Sequence, residues 1–313
     1  MAEAGARSLL VQRNIIFVLL VVIAAAAWGV LLLEQMSMGM AMTTPTMGLR
    51  APLFLTIWVI MMVAMMFPTA APMIVTFNKV QASKRQRGEA FVSTWIFVAA
   101  YLLVWALSGV VAYAGALTAE AIAARTALSP AAAARIGASV LVGAGLYQFT
   151  PWKNICLSKC RTPISFIMTS WHDGAAGALR MGLLHGAYCL GCCWLLFVIL
   201  FPLGIMNIVA MAVITLVIFA EKSLPWGRAV ARAAAVALIV YGSTVVIAPQ
   251  YLLYSIQGID KPIEVPMLEM SEQLGLRLRG PNGRTAGAQL PTTAAFSNEI
   301  GPTGPRTRLL LLR

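Results

Sequence analysis

The chain has 313 residues, of which 60% are hydrophobic and only 11% are charged, and its mean hydropathy is +0.82. Soluble domains carry roughly 25% charged residues, so this composition excludes a soluble globular protein and predicts an all-α, polytopic transmembrane helix bundle. The net charge of +12 lies in short basic blocks between apolar runs. That distribution is typical of membrane topology signals and argues against nucleic-acid binding.

The apolar runs predict about seven membrane-spanning helices, with six as the alternative. A crossing requires about 20 mainly apolar residues. The fourth run is the weakest and needs the preceding alanines to reach full length, whereas the fifth is long enough for two helices that break near "FPLG" (Phe201–Gly204). The runs occupy residues 14–33, 52–77, 91–117, 136–150, 181–220 and 233–256.

The distribution of Lys and Arg predicts a cytoplasmic N-terminus in a bacterial inner membrane. With that orientation, thirteen basic residues lie in inner segments and three in outer loops, which is the expected inner bias. We therefore interpret the basic residues of the loops as topology signals. Residues 1–257 form the predicted transmembrane domain, with a Met-rich outer loop at 34–51. Residues 258–313, rich in Pro, Gly, Thr and Arg, are predicted to be largely disordered.

The stretch "HGAYCLGCCW" places an imidazole and three thiols in the fifth apolar run. Met181, His185, Cys189 and Cys192 are separated by four, four and three residues, a spacing that puts them on one face of a helix. Cys193 lies on the adjacent face. A polar imidazole inside a membrane requires a partner, so these side chains are candidate metal ligands.

A second pair of thiols, Cys156 and Cys160, lies in the basic segment before this helix, in "PWKNICLSKCRTP". Their spacing suits one helical turn and one metal ion. Because the segment is predicted to be cytoplasmic, a lasting disulfide is disfavoured there. We expect this pair to form a metal-binding site on the cytoplasmic side.

Methionine supplies a third group of soft ligands. Thiolates and thioethers select Cu(I), whereas zinc prefers Cys, His and carboxylate ligands. Copper is therefore the predicted metal, and zinc is the less favoured one. The candidate thioethers lie in the outer loop "EQMSMGMAM" and in a stripe of the second helix, which also contains Pro68 and Pro72; they are Met36, Met38, Met40, Met42, Met62 and Met66.

The chain resembles a bacterial family of unknown function described as predicted metal-binding integral membrane proteins. The resemblance covers about Leu53–Lys222 and is carried by "WVIMMVAMMFPTAAPMI", "CLSKCRTP", "GAYCLGCCW" and "GIMNIVAMAVITLVIFAEK". It implies a metal but neither its identity nor an activity. Its motif positions in this sequence are the five cysteines together with Glu221 and Lys222. We expect Glu221 and Lys222 to form a buried pair with each other or to assist a proton step.

These patterns favour a membrane protein that binds Cu(I) for acquisition, transfer or delivery. The outer methionines would capture the ion, the second-helix stripe would pass it inward, and His185, Cys189 and Cys192 would hold it. Expected partners are the lipid bilayer, a copper chaperone or a larger membrane complex, of which the chain would be a subunit or assembly factor. One alternative is a thiol-disulfide oxidoreductase using Cys189/Cys192 and Cys156/Cys160, and another is a structural subunit.

Overall fold

A computed structural model describes residues 2–38, 45–126 and 128–249, and within those ranges every regular element is a helix. The all-α prediction is confirmed. The predicted tail at 258–313 lies outside the described residues, as do Met40 and Met42. The described helices, in chain order, are α1 (Ala2–Met38), α2 (Ala51–Gln86), α3 (Thr94–Thr126), α4 (Pro130–Tyr147), α5 (Pro151–Arg161), α6 (Pro163–Ser170), α7 (Gly174–Val198), α8 (Leu200–Leu203), α9 (Ile208–Ser223) and α10 (Gly227–Ile247).

Six candidate spans among the described residues are long and apolar enough to cross a membrane. The weak fourth run does form a helix: it begins at Pro130, and the side chain of Ser129 caps it by accepting a hydrogen bond from the Ala132 amide. The element that falls short is α9. Its 16 residues reach about 24 Å, less than the roughly 30 Å hydrocarbon core. Helix length therefore fits the six-span alternative.

The chain breaks where the sequence predicts, between α7 and α9. Gly204 adopts a φ of 92°, a conformation that strongly favours glycine. Asn207 then caps α9, because its side-chain oxygen accepts a hydrogen bond from the Ala210 amide at 3.0 Å. The turn and the cap take up the residues that a full second crossing would have needed, which explains why α9 is short.

Proline inside α2 is compensated by neighbouring side chains, as expected for a helix in a membrane. Pro68 has no N–H, so the carbonyl of Ala64 loses its helical partner. The indole nitrogen of Trp28 in α1 donates a hydrogen bond to that carbonyl at 3.1 Å. Thr69 donates to the Met66 carbonyl at 3.0 Å. The first bond joins α1 to α2, and the second lies within α2 beside Met66.

Two glycines bring α7 close to α3. A Cβ atom at Gly182 would lie 2.4 Å from the Phe97 carbonyl oxygen, and one at Gly186 would lie 2.8 Å from a Val104 methyl group. Small residues of this kind let helix backbones approach closely in membranes. The approach sets the cysteine-bearing part of α7 directly against α3.

Candidate metal centre

The soft side chains of α7 are buried inside the bundle. Met181, His185, Cys189 and Cys192 are each at most 2% exposed. Cys193, which the spacing puts on the adjacent face, is equally buried. Its thiol donates to the Cys189 carbonyl at 2.8 Å, and the Cys192 thiol donates to the same carbonyl at 3.1 Å. All three thiols of α7 therefore belong to one group.

Cys160 of α5 joins this group. Its half-buried side chain packs against the core that contains Cys189, Cys192 and Cys193, and the neighbouring thiols of Cys189 and Cys192 raise the pKa of Cys160 well above its ordinary value. We call Cys160, Cys189, Cys192 and Cys193 the thiol cluster. Helix α5 folds back against α7, so Cys160 lies beside the α7 thiols; the metal-binding role of the Cys156–Cys160 pair stays a prediction.

Cys156 lies at the edge of the thiol cluster. Its sulfur is 2.9 Å from the position that a Cβ atom of Gly191 would take, so the absent side chain of Gly191 is what makes room for it. Cys156 is half-buried, and burial raises the pKa of its thiol. Both cysteines of the pair are half-buried, and they lie one helical turn apart in α5.

Two other helices contribute polar groups to Cys189, and a third contacts one of those groups. Lys222 of α9 places its ammonium nitrogen 3.0 Å from the Cys189 sulfur, and Tyr101 of α3 places its hydroxyl 3.1 Å from the same sulfur. Lys222 also donates to Thr69 of α2 at 3.5 Å. Sequence reasoning missed Tyr101 and Thr69, because one tyrosine or threonine in an apolar helix has no distinguishing pattern.

Glu221 pairs with Lys153 of α5 rather than with Lys222, which corrects the expected Glu221–Lys222 pair. The Lys153 nitrogen lies 2.7 Å from a Glu221 carboxylate oxygen, and the two side chains are 1% and 2% exposed. Consecutive helical residues point in different directions and cannot face each other. Lys153 is therefore part of a buried ion pair and not only a topology signal. Arg161 adds three bonds, donating to the carbonyls of Glu221, Leu224 and Pro225 at and just beyond the end of α9.

His185 has no hydrogen-bond partner at either ring nitrogen. Its imidazole stacks on Phe97 and Tyr101, with ring centroids 5.9 and 5.5 Å away, and meets Phe166 edge-on at 5.6 Å. Most buried polar side chains are satisfied, so two unpaired nitrogens in one ring call for an explanation. A neutral imidazole nitrogen is a common metal ligand, and coordination would satisfy it.

The methionines divide into a buried and an exposed group. Met62 and Met66 of α2 are fully buried, and the Met66 sulfur lies 3.9 Å from the Thr69 hydroxyl, which in turn contacts Lys222. Met36 is 82% exposed on the last turns of α1. The predicted loop at 34–51 begins later than expected, because α1 continues through Met38.

Within residues 2–38, 45–126 and 128–249, no three side chains of His, Cys, Asp or Glu already have the arrangement of a metal site. The donor set nevertheless fits a soft ion, since it combines thiols, a thioether and an unpaired imidazole. The thiols of Cys192 and Cys193 donate to the Cys189 carbonyl, and the Cys189 sulfur contacts Lys222 and Tyr101. A metal would replace some of these hydrogen bonds.

Comparison with known proteins identifies a family to which the chain is similar. Residues 55–245, more than half of the chain, match the model of the PpoB2 family, which is described as copper chaperone. No curated protein and no solved structure matches the chain. The matched range contains all five cysteines, His185, Glu221 and Lys222, whereas Met36, Met38, Met40 and Met42 lie before it.

Proposed function

We propose, since this chain belongs to the PpoB2 copper chaperone family, that it is a bacterial inner-membrane protein that binds Cu(I) and transfers it to a partner protein. The observation that carries the proposal is the burial of three thiols of α7 together, with Cys160 of α5 packed against the same core. Three buried thiols of α7, the half-buried thiol of Cys160 beside them and the unpartnered imidazole of His185 form a soft donor set. Such a set favours Cu(I) over hard cations.

The remaining soft residues suggest a route for the ion. The exposed thioether of Met36, together with Met38, Met40 and Met42, would capture copper outside the membrane. Met62 and Met66 would pass it inward by exchange between weak thioether ligands. The half-buried Cys156 would offer a thiol through which copper leaves the cluster. Zinc remains less favoured, because it makes little use of methionine.

The proposed recipient is a copper-requiring protein in or at the membrane. It would be either a further copper chaperone or a larger membrane complex, for which this chain would serve as subunit or assembly factor. Nucleic acid is not a proposed partner. The bilayer itself surrounds the helices, since large apolar side chains such as Val111, Leu216 and Val240 remain exposed on the outside of the bundle.

The proposal is tested by measuring bound copper. The full-length protein is purified in detergent, loaded anaerobically with Cu(I), desalted and analysed for metal content. We expect near-stoichiometric copper in the wild type and its loss in the double variant Cys189→Ser, Cys192→Ser, because two of the thiolate ligands are removed. Cys156→Ser is the matched control: it removes a thiol from the edge of the cluster, and we expect it to retain copper. Copper that is absent from the wild type, or equally retained by the double variant, would refute the proposal.

A second candidate is a membrane thiol-disulfide oxidoreductase. The observation that favours it is the packing of Cys160 against the core that contains Cys189 and Cys192, because thiol–disulfide exchange requires an attacking thiol to reach a disulfide. The nearby ammonium of Lys222 would also favour a Cys189 thiolate. This candidate predicts that the metal-free protein cycles reversibly between dithiol and disulfide states. A structural subunit, in contrast, predicts that cysteine substitutions change stability alone.

A further inference from the structure

We propose that Lys222 makes the thiol cluster selective for a monovalent soft cation over a divalent one. This inference rests on the proposed function, since it concerns the ion that the same site accepts. Lys222 is only 9% exposed, and its nitrogen is 3.0 Å from the Cys189 sulfur. A buried ammonium is costly unless an opposite charge accompanies it. The positive charge of Lys222 therefore contributes to the charge balance of any metal that binds to the thiol cluster.

The neighbouring ion pair does not supply the opposite charge. Glu221 lies next to Lys222 in sequence, but its carboxylate is bound to Lys153 at 2.7 Å, and the two charges of that pair cancel. The second oxygen of Glu221 has no hydrogen-bond partner, so Lys222 does not reach it. The positive charge of Lys222 is left to the thiol cluster and is balanced only when thiolates form there.

The charge balance then depends on the metal. Two thiolates around Cu(I) carry one net negative charge, which the ammonium of Lys222 neutralises. The same two thiolates around a divalent ion form a complex with no net charge. The positive charge of Lys222 then stays buried without a counter-charge, which is unfavourable. A divalent ion could regain neutrality by recruiting a third thiolate. However, each additional thiolate ligand requires the loss of one more thiol proton, a cost that Cu(I) with two thiolates does not incur.

The test separates charge from softness by comparing Ag(I) with Cd(II), which both favour thiolates. The detergent-purified full chain is dialysed against both ions with a small competing thiol, and the bound ratio is measured by elemental analysis. We expect the wild type to prefer Ag(I). We expect Lys222→Met and Lys222→Gln to lower the bound Ag:Cd ratio by at least about tenfold, as loss of a full charge a few ångströms away implies. Lys222→Arg should keep the ratio, because it keeps the charge.

The matched control is the double variant Lys153→Met, Glu221→Leu. It removes two buried charges that cancel, so it should leave the Ag:Cd ratio unchanged even if it alters stability. An unchanged ratio in Lys222→Met, with Cu(I) and Ag(I) still bound, would overturn this inference and leave the proposed function intact. A wild type that binds neither Cu(I) nor Ag(I) would instead remove the proposed function. Should both neutral Lys222 variants fail to fold, the wild type decides alone: a preference for Cd(II) overturns the inference.

Discussion

Lys153→Met is expected to lower the free energy of unfolding by about 3–5 kcal/mol, because it strands a buried carboxylate without its partner. The Lys153–Glu221 pair is 2.7 Å long, and both side chains are almost completely inaccessible to solvent. One oxygen of Glu221 already lacks a hydrogen-bond partner, which indicates that no other donor is close enough to replace Lys153. The measurement is denaturant or thermal unfolding in detergent, followed by helical circular dichroism.

The control for this prediction is the removal of both charges together. Lys153→Met with Glu221→Leu replaces the pair by apolar side chains, an exchange that is often neutral or stabilising for buried ion pairs. We expect the double variant to recover most of the stability lost in Lys153→Met. If the single variant is as stable as the wild type, or if the double variant is no better than the single one, the pair does not hold α5 against α9.

This ion pair matters for the site because it joins the two elements that flank the thiol cluster. Lys153 belongs to α5, which carries Cys160, and Glu221 precedes Lys222 in α9. Arg161 strengthens the same connection through the carbonyls at the end of α9. The pair and the arginine thus hold α5 against the end of α9.

His185→Phe is expected to change stability and copper affinity in opposite directions. It removes two buried, unpaired ring nitrogens, so the metal-free protein should gain about 1–3 kcal/mol, the cost of an unsatisfied buried polar group. The new ring can pack against Phe97, Tyr101 and Phe166, which already surround the imidazole. Loss of the ligand nitrogen should weaken Cu(I) binding by more than about tenfold, since substitutions just outside a metal site already cost that much.

Two measurements check this prediction: unfolding of the metal-free protein, and Cu(I) affinity by competition with a coloured chelator. The chain offers a matched control, because it contains only one other histidine. His172 lies in the turn before α7, where its ring contacts the Arg180 guanidinium at 2.6 Å. His172→Phe should leave the copper affinity unchanged. A His185→Phe variant that binds Cu(I) as tightly as the wild type would exclude His185 as a ligand.

Periodicity and composition predicted what lies within single helices. The spacing of Met181, His185, Cys189 and Cys192 places them in one helix, and all four are buried. The break near Gly204 followed from the length of the uncharged run. The shortness of α9 did not, because the number of residues that a turn and a cap consume is set by backbone geometry rather than by hydropathy.

Contacts between distant parts of the chain could not be predicted in the same way. Lys153 and Glu221 are 68 residues apart, and Lys222 and Thr69 are 153 apart. A helical period identifies which face of a helix is buried but not which other helix covers it. For that reason the sequence predicted two groups of cysteines, whereas in the fold Cys160 lies beside the α7 thiols. It also paired Glu221 with the wrong lysine.

The central claim, that the thiols of α7 hold copper, is tested most directly by copper K-edge X-ray absorption of the wild type loaded anaerobically with one equivalent of Cu(I). The account predicts a Cu(I) edge and a first coordination shell dominated by sulfur, which is lost in the double variant Cys189→Ser, Cys192→Ser. A shell of oxygen and nitrogen alone, or a sulfur shell that the double variant retains unchanged, would contradict it.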